Sequence, residues 1–120
     1  MSESYPWKIE FYRDERGRAP VQDFIEGLQP AIRRKVGRNI NVLEREGDRL
    51  KMPLARPIAG YGFWELRVQM GRNIARIFYF LVTGRRIVFL HGFIKKTQAI
   101  PRTELEIAAA RRTDWLRRDR

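Results

Sequence analysis

The stretch FWELRVQMGRNIARIFYFLVTGRRIVFLHGF, residues 63–93, decides the fold. Within it Trp64, Leu66, Val68 and Met70 alternate with Phe63, Glu65, Arg67 and Gln69, the period of two that sends successive side chains to opposite faces of a strand. GRN then reads as a turn, NIARIFYFLV as a second strand, TGR as a second turn and RIVFLHGF as a third strand. Two consecutive hairpins make an antiparallel meander. Its last two runs are apolar on both faces, which suits strands that are central or covered by helices on one side.

Toward the N-terminus, WKIEFY sets Trp7, Ile9 and Phe11 on one face and reads as a first strand, followed by the turn DERGRAP. From Pro20, PVQDFIEGL repeats Val21, Phe24, Ile25 and Leu28 at helical spacing, with proline tolerated in the first turn. Gln29-Pro30 breaks this short helix. A second, from about Pro30 to Glu46, carries Ile32, Val36, Ile40 and Leu43 on one stripe and stops at Gly47. Arg33, Arg34, Lys35, Arg38 and Arg45 take the rest of its surface, either as a solvated face or as an RNA contact. Residues 48–62, with two prolines and two glycines, read as a loop.

Beyond the meander, TQAIP ends the last strand. Thr103 and Glu106 have the spacing of a capping box for a terminal helix, roughly Glu104 to Leu116. Helices ahead of a meander give an α+β two-layer domain: an antiparallel sheet with two N-terminal helices on one face, a C-terminal helix, and the other face partly open.

A chain of 120 residues serves one core, so residues 1–120 are read as one domain. With no cysteine and a single histidine, a disulfide framework, a thiolate site and zinc catalysis are all unsupported, and no cofactor is expected. MSESYPWKIEFY lacks the pattern of a signal peptide, and no window approaches the roughly 20 apolar residues that cross a bilayer. The expectation is a soluble cytoplasmic protein without a membrane partner. Lysine and arginine number 25 against 14 acidic residues, a net charge of +11 that favours polyanions, with an acidic protein partner as the alternative.

Four positions bear on chemistry within the meander and two just beyond it. A two-residue turn at Arg72-Asn73 would set Gln69 opposite Arg76 and Arg67 opposite Phe78, leaving Arg67 and Arg76 as diagonal neighbours on one open face. Two such arginines repel unless an anion or a carboxylate joins them, and Glu65 is two residues from Arg67. Lys95 and Lys96 leave the third strand together, and an irregular exit would let both turn toward one phosphate. His91, in an apolar strand, reads as a satisfied core residue or as a base.

In that order, GFWELR, RIFYF and LHGFIKKTQAIP followed by TELEIA resemble the RelE/HigB-like toxins, in particular their phage-derived branch, over about Trp7 to Arg112. The resemblance implies a RelE-like fold and a small, metal-independent, ribosome-dependent messenger-RNA endonuclease. It also implies a neighbouring helix-turn-helix antitoxin that neutralises the toxin and provides its only route to DNA. Arg76 then matches the arginine on the scissile phosphate, Arg67 lies beside it, and Lys95 or Lys96 matches the basic position after the last strand. The chain departs from RelE proper where lysines two and four residues before Arg67 are replaced by Glu65 and Phe63, and where no tyrosine follows Tyr79. Glu65 and His91 are left as alternatives for the base. The competing readings are a non-catalytic basic module that holds a nucleic acid or a protein, and an inactive toxin relic acting as corepressor with an antitoxin.

Overall fold

In the computed structural model, which describes residues 5–95, 97 and 99–119, the order is β1 (Lys8–Phe11), α1 (Pro20–Glu26), α2 (Pro30–Glu46), β2 (Ala55–Ile58), β3 (Phe63–Met70), β4 (Asn73–Val82), β5 (Arg86–Lys95) and α3 (Arg102–Arg118). A 3₁₀ turn, Gly47–Arg49, follows α2. One five-stranded sheet runs β1-β5-β4-β3-β2. Among the described residues, no helix is long and apolar enough to cross a membrane.

The α+β class, the meander and the three helices follow the sequence. The sheet, however, is mixed rather than antiparallel: β1 pairs parallel with β5, Lys8 opposite Arg86 and Phe11 opposite Phe89. Its apolar side explains the choice. Ile9 and Phe11 join the core beneath α1 and α2, where the Phe11 ring meets Phe89 edge-on at 5.7 Å. The segment read as a loop also contains β2, which borders β3 with Arg56 opposite Glu65.

The two sides of the sheet carry separate cores. Leu66, Val68, Ala75, Ile77, Ile87 and Phe89 pack with Val21, Ile32, Val36 and Leu43 of α1 and α2. Phe63, Phe78, Phe80, Val88, Leu90 and Phe93 pack on the other side with Leu105, Ala108 and Trp115 of α3. That second face is therefore covered over much of its area, not open. α3 is also tied down by polar bonds: the Tyr12 hydroxyl donates to Asp114 at 2.7 Å, and Arg111 donates to the Leu90 carbonyl at 2.9 Å. It starts at Arg102 with Pro101 as its cap and no side-chain cap bond, so the Thr103–Glu106 capping box does not form.

Candidate functional site

The β3–β4 hairpin turns on Gly71-Arg72 rather than on Arg72-Asn73, because Met70 pairs with Asn73. Gly71, at φ 61°, supplies the positive dihedral that a tight two-residue loop needs. The shift sets Arg67 directly opposite Arg76 and keeps both on the same face, that of Glu65 and Phe78. Two like charges directly across a ladder are unfavourable without an anion between them.

Glu65 is that anion. Arg76 NH1 donates to its Oε2 at 2.5 Å, Arg56 Nε donates to its Oε1 at 2.6 Å, and Arg67 Nε lies 3.9 Å from the same oxygen. Three guanidinium groups thus surround one carboxylate, leaving the cluster cationic. It is graded in depth: the side chains of Glu65 and Arg76 are 0% exposed, Arg67 13% and Arg56 33%. Arg76 NH2 also donates to the Thr97 carbonyl at 2.7 Å, while its buried Nε has no partner among the described residues. Arg56 was missed because β2 reads locally as loop; the signal available was its place opposite Glu65 once β2 and β3 pair.

Lys95 is the last residue of β5, not part of an irregular exit. It pairs with Ile74, two pairs beyond the Arg76–Phe93 pair, and is exposed on the side of the sheet that carries Arg76. Lys96, expected beside it, lies outside the described residues.

His91 pairs with Phe78, and a bulge at Leu90 precedes it. Its ring stacks on Phe93 at 5.5 Å between centroids. Nε2 is 2.5 Å from Glu104 Oε1, and Nδ1 is 3.2 Å from Arg111 NH1. A guanidinium only donates, so Nδ1 accepts, and the proton of the neutral ring sits on Nε2 and is donated to Glu104. Burial holds the imidazole below its ordinary pKa, partly opposed by the Glu104 bond and reinforced by the Arg111 charge. Sequence-predicted Glu65, Arg67 and Arg76 thus meet in one cluster with Lys95 two pairs along the same face, whereas His91 belongs to a polar tie between β5 and α3. Among the described residues, no group of three or more His, Cys, Asp or Glu converges as a metal-ligand set.

The chain matches the family of phage-derived Gp49-like proteins over residues 23–113 and belongs to that family, which is associated with toxin–antitoxin systems and RelE-type toxins. No curated protein matches it. The matched span includes β2 to β5, and with them every residue of the arginine cluster.

Proposed function

We propose that this protein is the toxin of a type II toxin–antitoxin pair, a metal-independent endoribonuclease of RelE-like architecture that cuts messenger RNA on the ribosome in the cytoplasm and is neutralised by a helix-turn-helix antitoxin. The observation that carries this reading is the set of Arg56, Arg67 and Arg76 gathered around Glu65. RNA brings its own nucleophile. When the 2′-oxygen attacks phosphorus and the 5′-oxygen leaves, charge builds on the phosphorane, and fixed guanidinium donors stabilise that charge.

In this scheme Arg56 and Arg67, the partly exposed members, receive the phosphate, with Lys95 flanking them. Arg76 holds the array from beneath. Glu65 is the carboxylate nearest the cations, and His91 takes a proton only by giving up its bond from Arg111. The ribosome would supply alignment of the 2′-oxygen with the phosphorus, so the isolated chain needs only a modest site.

A non-catalytic binding role is favoured by one observation, the complete burial of Glu65 and Arg76. Induction in cells lacking the antitoxin separates the two. Growth arrest with messages ending in 2′,3′-cyclic phosphate, relieved by Arg56→Ala or Lys95→Ala in soluble protein, supports the nuclease. RNA bound but never cut leaves binding alone.

A further inference from the structure

A second group of arginines lies at the other end of the sheet. Arg45, Arg49 and Arg85, with Pro6, Trp7 and one acid, Asp48, line a pocket of about 260 Å³. Arg45 lies over the ring of Tyr5, 5.7 Å from its centroid, and Tyr5 is 48% exposed. Arg49 reaches Glu46 at 3.5 Å in a largely exposed pair. The Arg85 side chain has no ion pair or hydrogen bond among the described residues.

Two backbone features build this pocket. Gly47, at φ 52°, closes α2, and a Cβ there would stand 2.0 Å from the Trp7 ring, so the indole is seated where only glycine leaves room. Arg85 is the only non-glycine residue at positive φ among the described residues, at 58°. It occupies a position in the β4–β5 turn that glycine fills without strain, and its carbonyl accepts the Lys8 N–H at 2.9 Å. The carbonyl contact would serve equally well with glycine, so the strain is tolerated for a side chain that points no contact back into the protein.

We propose that Tyr5, Trp7, Arg45, Arg49 and Arg85 form a second RNA-binding site, separate from the Glu65 cluster, that stacks an unpaired base on the aromatic rings and holds the neighbouring phosphates on the arginines. Aromatic faces beside guanidinium groups provide the two interactions that single-stranded nucleic acid needs. Arg76 and Val82 lie six residues apart on β4, which puts roughly 20 Å of strand between the two sites before the turn is counted. One RNA strand spans both only if it is several nucleotides long.

The inference rests on the preceding reading for the class of ligand alone, not for catalysis. The test is titration of wild type and of Arg45→Ala/Arg85→Gly with a twelve-nucleotide oligouridylate and with a dinucleotide, followed by fluorescence anisotropy at several salt concentrations. The double variant is expected to bind the long RNA about 10-fold more weakly and to lower the slope of log affinity against log salt by about 1.4, the share of two phosphate contacts on a single strand. Arg85→Gly alone is expected to raise the melting temperature by roughly 3 °C while weakening binding, because it removes strain and charge together. The dinucleotide is expected to gain less from the intact pocket than the long strand does. Equal affinity and salt slope for variant and wild type, with wild type binding well, overturns the second site and leaves the nuclease reading standing. No binding of either RNA by wild type also overturns the second site, while the nuclease reading stands or falls separately on cleavage of messages in the induced cells.

Discussion

Arg76 reaches diagonally across the β3–β4 ladder to Glu65, guanidinium to carboxylate at 2.5 Å, and neither side chain has any solvent exposure. A pair so placed is costly to break, because whichever partner remains is a buried charge. Arg76→Ala is expected to lower unfolding free energy by about 3–5 kcal/mol, and Glu65→Ala by at least as much since it leaves the buried Arg76 without its carboxylate. Urea denaturation of each variant checks this. A loss below about 1 kcal/mol would mean that the pair is not buried as described.

Arg56 should behave differently. A third of its side chain is exposed, so its ion pair is discounted by solvent, and Arg56→Ala is expected to cost at most about 1 kcal/mol. Its effect on RNA cleavage on ribosomes should be larger, a fall of about 100-fold in rate if it holds the phosphorane. Arg56→Lys is expected to recover only part of that, since an ammonium lacks the planar fork. Cleavage rates on programmed ribosomes, taken beside melting curves, separate the two effects.

The His91 tie gives an acid-side signature. Because burial depresses the folded-state pKa below the unfolded value near 6.5, the unfolded chain takes up the proton first as pH falls. The stability from keeping His91 neutral is thus fully present above pH 6.5 and drains away below it. Asp114, held at about 2 mainly by the Tyr12 hydroxyl and then by Arg117 and Arg118, adds a second loss as pH falls from 3.8 toward 2. His91→Gln is expected to flatten the first of these steps in a series of denaturation midpoints and leave the second in place.

Gly47→Ala tests the seat of Trp7. The added methyl would collide with the indole and also force a side chain into a positive-φ turn, so a loss of about 2–4 kcal/mol is expected. The change should be accompanied by a red shift of tryptophan emission as Trp7 is displaced.

How much of this was legible in the sequence depends on where each element finds its partners. α2 and the bounds of β3 and β4 follow from local periodicity, since alternation and helical spacing are written within each segment. β2 is four residues, one of them Pro57, and becomes a strand only by bordering β3. Arg56 was lost with it. The grouping of Glu65, Arg67 and Arg76 could be read from face alternation because the one-step shift of the turn preserves the face. Their burial could not be read this way, because it depends on pairing with segments remote in sequence: Arg76 donates to the Thr97 carbonyl beyond β5, and Glu65 accepts from Arg56 of β2. The parallel pairing of β1 was equally hidden.

That pairing has a kinetic corollary. α1, α2 and the β2–β4 segment can begin to assemble from near neighbours in the chain, but β1 has no strand to join until β5 exists, some 78 positions later from Lys8 to Arg86. Closing so long a loop delays the contact, and such non-local pairings slow folding. Until β5 arrives, the apolar edge of Ile9 and Phe11 is exposed, a window for proteolysis or mispairing that lasts as long as synthesis of the intervening chain.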